Sequence, residues 1–423
     1  MHTVLSGADR RLIAPTAEAS AAEVPAVEPP AAHAARPPEA QPAGQQMAPD
    51  AVAGPIDRPR ASDGSDAELI QLLAPDGSRR HDPAYEQWVA DMSDEQLVSL
   101  YEDMVVVRRI DTEATALQRQ GQLGLWPPLL GQEAAQIGSA RALRSDDFVF
   151  TSYRENAVAY CRGVSLPEMM PAWRGVAHSG WNPYSVGMAP PAVIIGAQTL
   201  HATGYAMGCA KDGVDSVAVA YFGDGATSQG DVNEAMVFAA TFNAPVVFFC
   251  QNNHWAISEP VGLQAKLPIA DRAPGFGIPS MRVDGNDVLA VMAAMRIALD
   301  RARSGGGPSY IEAVTYRMGP HTTSDDPSRY VDPAEREAWA AKDPILRMER
   351  MLEAAGILDD GVRASVTQKA NEVAAELRAA CMGLQDPEPL TVFDHVLTEP
   401  TPWLTRQRSQ YTAYLDMFEG ETR

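Results

Sequence analysis

Short apolar runs alternate with stretches of helical periodicity along the second half of the chain. The runs SVAVAYF (216–222) and APVVFFCQN (244–252) are continuously apolar, which is typical of strands buried on both faces of a parallel sheet. Between them, DVNEAMVFAATFN repeats its apolar residues at helical spacing, and the alternation continues as SMRVDG, DVLAVMAAMRIALDRARSG and SYIEAVTYR. This pattern predicts an α/β fold with a doubly wound, mostly parallel sheet.

Helical patterns also precede and follow this region. Ser93 and Gln96 form a capping-box pattern at the start of SDEQLVSLYEDMVVVRRIDTEATALQRQG, and Gly121 ends that helix. A second helix is predicted after Gly131, and DDFVFT is predicted to be a short strand. Beyond Pro344, further helical patterns are expected to close the domain.

The first part of the chain has a different composition. Residues 1–64 are rich in alanine and proline, and they cannot bury enough apolar surface to offset the entropy lost on ordering. We therefore predict a disordered arm over 1–64 and a single domain over 65–423, with ordered structure beginning near residue 80. The N-terminus lacks a long apolar segment, so no signal peptide is expected.

Charge and cysteine usage exclude several classes of function. The chain of 423 residues has a formal net charge of −21, which argues against nucleic acid and anionic membranes as partners because both repel it. No apolar run reaches the roughly 18 residues that a membrane span requires. None of the four cysteines lies in a C-x-x-C pair, which argues against a zinc site. A reducing cytoplasm is the expected location.

Two polar motifs stand at the ends of the two apolar runs. GDG at 223–225 follows the first run, and the asparagine pair at 252–253 follows the second. Because ligands bind at the carboxyl ends of parallel strands, Asp224 and Asn253 are expected to lie close together. A carboxylate and an amide oxygen suit Mg²⁺, with diphosphate oxygens completing its octahedron. The small residues of GDGATSQG allow a phosphate to approach the backbone.

Two other phosphate-binding motifs do not match the same glycine-rich segment. The P-loop requires a Lys-Ser or Lys-Thr ending that GDGATSQG lacks. The dinucleotide fingerprint requires a third glycine, and Ser228 stands at that position. A nucleotide-binding oxidoreductase is therefore disfavoured, and a diphosphate bound through a metal ion is the better interpretation.

The spacing of GDG and the asparagine pair resembles the thiamine diphosphate motif, and the resemblance extends from about residue 90 to the C-terminus. Over this range the chain is similar to the α subunit of the thiamine diphosphate-dependent first component of 2-oxo acid dehydrogenase complexes. The branched-chain (2-oxoisovalerate) type is the nearest match. The stretches that carry the resemblance are SYRENAVAY, IIGAQTLHATGYAMG, YFGDGATSQGD, FFCQNNHWAIS, RVDGNDV and YRMGPHTTSDDPSRY.

The resemblance implies a set of residues that bind the cofactor. Mg²⁺ would be bound by Asp224, Asn253 and the main-chain carbonyl of Trp255. Tyr153 and Arg154 would contact the diphosphate, for which the planar guanidinium group is well suited. The other residues implied to line the cofactor are Val193, Ile195, Gly223, Gly225, Ala226 and His321, with Ile195 as the apolar wedge that holds thiamine bent.

His321, in the stretch GPHTTSDDP, is the implied catalytic residue. The resemblance gives this histidine a contact with the cofactor and a role in acyl transfer to lipoamide, and it assigns Arg317 and Asp325 to the ordering of the surrounding loop. Gln198 falls where relatives build a K⁺ site. Alanine or valine replaces the hydroxyl residues of that site here, so the K⁺ site is less well supported than the Mg²⁺ site.

The activity implied by the resemblance is the oxidative decarboxylation of branched-chain 2-oxo acids, with reductive acylation of the lipoyl domain of a dihydrolipoyl acyltransferase. No second α/β domain remains in the sequence to hold the pyrimidine ring and its activating acid. The active site is therefore expected to be shared with a β subunit in an α₂β₂ heterotetramer. The alternatives are a pyruvate or acetoin dehydrogenase α subunit, a non-catalytic assembly subunit and a nucleotide-binding oxidoreductase.

Overall fold

A five-stranded sheet forms the centre of the computed structural model of this chain, whose described residues are 69–177 and 179–418. Its strands are β1 (Phe148–Phe150), β2 (Ala218–Gly223), β3 (Val246–Asn252), β6 (Ser280–Asp284) and β7 (Ser309–Val314), and two short strands, β4 (Trp255–Ala256) and β5 (Glu259–Pro260), pair separately. The spatial order is β1-β2-β3-β7-β6, and every neighbouring pair is parallel. This confirms the predicted α/β fold. The predicted arm over 1–64 lies outside the described residues.

Helices cover both faces of the sheet. The α-helices in the described part of the chain are α1 (Pro83–Glu86), α2 (Asp94–Arg119), α3 (Glu133–Ala140), α4 (Asn156–Cys161), α5 (Leu166–Arg174), α6 (Pro183–Val186), α7 (Ala197–Asp212), α8 (Gly230–Thr241), α9 (Val261–Gln264), α10 (Val288–Arg303), α11 (Pro333–Ala340), α12 (Pro344–Ala354), α13 (Asp360–Gly383) and α14 (Pro402–Asp416). None of them is both long and apolar enough to cross a membrane.

Side chains on the central strands alternate between two apolar cores, as the pleat of a strand requires. Tyr221 and Phe249 belong to the larger core, which also contains residues of α2, α3, α10 and α13. Phe222 and Phe248 belong to the smaller core, which contains residues of α7 and α8. Because both faces are buried, the strands are continuously apolar in sequence, and this is the pattern that predicted them.

The helix predicted from the capping box is confirmed. The hydroxyl of Ser93 accepts a hydrogen bond from the backbone N–H of Gln96 at 3.3 Å, and the side chain of Gln96 accepts one from the N–H of Ser93 at 2.9 Å. The helix ends at Arg119, and Gly121 follows with a φ of +73°. Helices beyond Pro344 are confirmed as well.

The prediction that ordered structure begins near residue 80 was wrong, because the segment from residue 69 already packs against the domain. Ile70 forms a parallel bridge with Val283 in β6. The backbone N–H groups of Leu72 and Leu73 donate to the carboxylate of Asp287 at 2.6 and 2.5 Å. These partners lie more than 200 residues away, so local sequence gives no signal for them.

Candidate active site

The ends of β2 and β3 bring the two predicted metal ligands to the same edge of the sheet. Gly223, the last residue of β2, is paired with Gln251 of β3. Asp224 and Asn253 each follow their strand within two residues of this pair, so both side chains lie at the carboxyl edge. Arg317 donates from its backbone N–H to the carbonyl of Asn253 at 3.2 Å, which ties this turn to the segment after β7.

Asp224 is a buried carboxylate with an unsatisfied oxygen. The residue is 1% exposed. Its Oδ2 accepts a hydrogen bond from Nε2 of Gln264 at 3.3 Å, whereas Oδ1 has no hydrogen-bond partner among the described residues. Burial raises the pKa of Asp224 to about 6. A buried carboxylate is stabilised by a cation at its free oxygen, so this side chain fits the predicted Mg²⁺ ligand.

Asn253 is held by hydrogen bonds on both sides of its amide. Its Oδ1 accepts from the backbone N–H of Trp255 at 3.2 Å, and its Nδ2 donates to Oε1 of Gln132 at 3.2 Å. The intervening His254 has a φ of +71°, which bends the chain back toward the amide. An amide oxygen has two lone pairs, so Oδ1 retains one acceptor position for a further ligand.

The two glycines of the GDG motif serve different purposes. A Cβ atom on Gly225 would lie 2.8 Å from the Cβ of Ala256, so only glycine permits this close approach of the two turns. A Cβ atom on Gly223 would have only the carbonyl oxygen of Gln251 within 4 Å, at 3.9 Å. The backbone at Gly223 therefore borders open space, which suits the approach of a bulky polar ligand.

A cavity of about 460 Å³ opens beside these turns. Its walls combine polar groups from the strand ends with apolar side chains from the loops. It is lined by Leu125, Pro127, Gln132, Ser152, Tyr153, Arg154, Glu155, Trp173, Val193, Ile195, Gly196, Gln198, Gly223, Asp224, Gly225, Ala226, Gln229, Gln251, Asn253, Trp255, Ala256, Ile257, His321 and Thr322. Every residue that the sequence analysis implied for cofactor, metal or catalysis is in this set. Their binding roles stay predictions.

His321 lies between two guanidinium groups. Arg154 contacts Nδ1 of His321 through its Nη2 at 3.1 Å, and Arg317 does so through its Nη1 at 3.4 Å. Because arginine can only donate hydrogen bonds, Nδ1 is the acceptor and Nε2 carries the proton of the neutral ring. Burial and then the charges of Arg154 and Arg317 lower the pKa of His321 to about 4. The ring is therefore neutral at physiological pH.

The loop around His321 is ordered by its own acidic residue. The backbone N–H of His321 donates to Oδ2 of Asp325 at 2.8 Å, and the hydroxyl of Tyr330 donates to the same oxygen at 2.5 Å. Nη2 of Arg317 in turn donates to the hydroxyl of Tyr330 at 2.7 Å. The predicted bracketing of His321 by Arg317 and Asp325 corresponds to this network.

Most of the chain matches a known protein family. The family model described as "Dehydrogenase E1 component" matches residues 101–382, which is more than half of the chain. The chain belongs to the dehydrogenase E1 component family. This is a family of thiamine diphosphate-dependent 2-oxo acid dehydrogenases.

Individual relatives cover most of this E1 chain. The 3-methyl-2-oxobutanoate dehydrogenase subunit alpha of Mycobacterium tuberculosis is 49% identical over 351 residues, which are 83% of this chain and 95% of the relative. The pyruvate dehydrogenase E1 component subunit alpha of Staphylococcus epidermidis is 40% identical over 327 residues, which are 77% of this chain and 86% of the relative. The family resemblance inferred from the sequence is thereby confirmed.

A buried polar cluster that the sequence did not predict lies in the wall of the E1 cavity. Nε2 of Gln251 donates to Oε1 of Glu155 at 2.7 Å, and the hydroxyl of Ser152 donates to Oε2 at 2.8 Å. Burial raises the pKa of Glu155. Glu155 directly follows the predicted Arg154, and Gln251 directly precedes the asparagine pair. Their position next to these motifs was the only feature of the sequence that could have pointed to Glu155 and Gln251.

Another unpredicted contact links the His321 loop to the segment after α2. The backbone N–H of Trp126 donates to the hydroxyl of Thr323 at 3.1 Å, and the backbone N–H of Thr323 donates to the carbonyl of Trp126 at 2.9 Å. The indole N–H of Trp126 and the backbone N–H of Leu129 donate to the two carboxylate oxygens of Asp111 at 2.8 and 2.6 Å. Burial raises the pKa of Asp111 to about 7. Asp111 therefore holds the segment against which the His321 loop rests.

Proposed function

We propose that this E1 chain is the α subunit of a branched-chain 2-oxo acid dehydrogenase and that it binds thiamine diphosphate through Mg²⁺. The observation that carries the proposal is the buried Oδ1 of Asp224, which has no hydrogen-bond partner within 69–177 and 179–418 and which lines an open cavity together with Asn253. A carboxylate and an amide, with the main-chain carbonyl of Trp255 as third protein ligand, form an all-oxygen set of the kind Mg²⁺ prefers.

Arg154 and Tyr153, which line the same cavity as Asp224, would hold the diphosphate. Arg154 is 5% exposed, and its Nη1 is already held by the carbonyl of Pro128 at 2.7 Å, so its guanidinium group is fixed in place. Tyr153, whose ring lies 5.6 Å from the Arg154 guanidinium carbon, flanks it. A fixed cation beside a metal site is suited to diphosphate oxygens.

His321 would control proton position during acyl transfer to the lipoyl domain of a dihydrolipoyl acyltransferase. When bound, thiamine diphosphate supplies the electron sink for decarboxylation. The two guanidinium groups keep Nδ1 of His321 occupied and the ring neutral, so its Nε2–H is the proton that can be donated. A neutral histidine with one fixed tautomer presents a directed hydrogen-bond donor, which can stabilise negative charge that develops during the reaction.

The substrate class follows from the relatives and from the apolar part of the wall. Identity to the 3-methyl-2-oxobutanoate relative is 49%, against 40% to the pyruvate relative. Leu125, Trp173, Val193 and Ile195 line the cavity and suit a branched apolar side chain such as that of 2-oxoisovalerate. Rates of decarboxylation across a series of 2-oxo acids, from pyruvate to branched chains, test this preference. A higher kcat/KM for pyruvate would overturn it.

A β subunit is proposed to complete the active site in an α₂β₂ assembly. Residues 69–177 and 179–418 contain one five-stranded sheet and a two-stranded ribbon, so this range offers no second α/β domain for the pyrimidine end of the cofactor. The purified chain alone should show no 2-oxo acid turnover at any thiamine diphosphate concentration, and it should gain activity when the β subunit is added. Turnover by a preparation with a single polypeptide would refute the shared site.

A further inference from the structure

A directional chain of hydrogen bonds runs from the backbone to the side chain of Gln132. The backbone N–H of Trp255 donates to Oδ1 of Asn253, and Nδ2 of Asn253 donates to Oε1 of Gln132, both at 3.2 Å. A backbone N–H can only donate, so it fixes which side of each amide is oxygen. Reversing either amide would place donor against donor. This series of hydrogen bonds therefore ends at Nε2 of Gln132.

Nε2 of Gln132 is a buried donor with nothing to donate to. Gln132 is 1% exposed, and its Nε2 has no hydrogen-bond partner in the described part of the chain. Buried polar groups in folded proteins are nearly always hydrogen-bonded, because an unmade bond is unfavourable. Gln132 lines the same cavity as Asp224 and Asn253, so an acceptor bound there can supply the missing partner.

The backbone at Gln132 is rigidly held. A Cβ atom on the preceding Gly131, whose φ is +94°, would lie 2.2 Å from the carbonyl oxygen of Tyr316, so this position requires glycine. The hydroxyl of Thr315 donates to the carbonyl of Gly131 at 2.6 Å, and the N–H of Gln132 donates to the carbonyl of Leu129 at 2.8 Å. The segment is thus fixed by the end of β7, next to the proposed metal ligands.

We propose that Gln132 is a further binding residue for the diphosphate of the cofactor and the positioning residue for Asn253. Its Oε1 holds Nδ2 of Asn253, which orients the remaining lone pair of Oδ1 of Asn253 toward a cation. Its Nε2 donates to an anionic oxygen of the diphosphate. This inference rests on the proposed function, because it assumes that a metal-bound diphosphate occupies the cavity.

Two substitutions separate the two roles of Gln132. Gln132→Glu keeps an oxygen acceptor for Asn253 and replaces the Nε2 donor by a second oxygen. Gln132→Met removes both groups at similar length. The chain is co-purified with its β subunit, and binding of Mg²⁺–thiamine diphosphate and of Mg²⁺–pyrophosphate is measured by calorimetry. Pyrophosphate tests recognition of the diphosphate group alone.

Both variants should bind both ligands about ten- to a hundredfold more weakly than the parent, since hydrogen bonds to charged groups are worth roughly this factor. Gln132→Met should also need a higher Mg²⁺ concentration for half-saturation, because Asn253 loses its fixed orientation. The matched control is Gln96→Glu, which adds the same charge at the exposed capping-box position and should leave both affinities unchanged.

The outcomes distinguish this inference from the proposed function. If the parent itself binds neither ligand, the proposed function fails. If the parent binds and both Gln132 variants bind within about threefold of it, the role of Gln132 is overturned. Thermal unfolding without ligand is measured in parallel. Failure of both variants to fold would also overturn the inference, because it would show that Nε2 stabilises the ligand-free chain.

Discussion

The candidate active site has two ends, the strand end with Asp224 and Asn253 and the loop end with His321. The two ends are built in different ways. Asp224 and Asn253 are positioned by strands β2 and β3, whose hydrogen-bonded register places their carboxyl ends side by side. His321 belongs to no strand or helix, and its place depends on side chains such as Arg154, which is 167 residues away in sequence. The strand end is therefore preorganised by the fold itself, whereas the loop depends on a few contacts that single substitutions can remove.

The two ends also carry opposite electrostatic character. At the strand end, Asp224 is a buried carboxylate whose pKa is raised by burial and whose Oδ1 has no partner in the described part of the chain. At the loop, Arg154 and Arg317 are buried cations that share one neutral histidine. A ligand that combines a metal cation with an anionic group satisfies both ends at once. We therefore expect substitutions at the strand end to weaken binding of the cofactor, and substitutions in the His321 loop to slow acylation of the lipoyl domain.

The largest effect is expected for Asp224→Asn. Removing the only carboxylate of the proposed metal site should weaken Mg²⁺-dependent thiamine diphosphate binding by more than about a hundredfold, since even the residues that support metal ligands contribute about 10–100-fold. The unfolding midpoint of the ligand-free protein should stay equal or rise, because an unpaired buried charge is removed. Calorimetry measures the cofactor affinity, and thermal unfolding measures the midpoint. The exposed Asp212→Asn serves as control, and unchanged cofactor affinity in Asp224→Asn would rule out the metal assignment.

His321→Ala should affect catalysis with little effect on binding. Loss of one preorganised hydrogen-bond donor from an active site costs about 10²–10³-fold, so acylation of the lipoyl domain should fall by a factor in this range. Cofactor affinity should remain close to that of the parent, because His321 is not among the proposed metal ligands. On the α–β assembly, stopped-flow measurement gives the rate of lipoyl acylation, and calorimetry gives the cofactor affinity. Lipoyl acylation within a few-fold of the parent would contradict the assigned role.

A smaller effect is expected for Tyr330→Phe, which removes only one hydroxyl from the loop. This hydroxyl donates to Asp325 at 2.5 Å and accepts from Arg317 at 2.7 Å. Losing two hydrogen bonds of about 1 kcal/mol each should lower kcat for lipoyl acylation by at most about thirtyfold and leave cofactor affinity unchanged. Tyr414→Phe, at an exposed tyrosine of α14, is the control. A loss of cofactor affinity in Tyr330→Phe would show that the two ends are not independent.

The smallest effect is a pH dependence of stability that arises in the loop. The pKa of His321 is about 4 in the folded chain, below its ordinary value of 6.5, so protons bind more readily to the unfolded chain. Stability should therefore fall as the pH decreases from about 6.5 toward 4. In His321→Asn this part of the loss should be absent. Urea unfolding of the parent and of His321→Asn at pH 7 and pH 5 measures the loss of unfolding free energy. An equal loss in the two proteins would contradict the lowered pKa of His321.

The same contrast explains which parts of the site could be predicted from the sequence. Asp224 and Asn253 follow continuously apolar strands directly, so strand periodicity and one topological rule are enough to bring them together. Gln132 and Glu155 stand in segments without a distinctive pattern, and their significance arises from contacts with Asn253 and Gln251 across the fold. Residues 69–80 were missed for the same reason, because their partners lie in β6 and at Asp287.

Linear sequence was enough to predict the alternation of strands and helices over 216–317, the capped start of α2 and the polar motifs at the strand ends. These depend on periodicity and on hydrogen bonds between residues a few positions apart, which a linear pattern contains. Only the folded chain shows the neutral state and tautomer of His321, the direction of the Gln132 amide and the oxygen of Asp224 that has no partner among the described residues. Each of these depends on burial and on which donor or acceptor faces the group, and both are settled only when distant segments pack together.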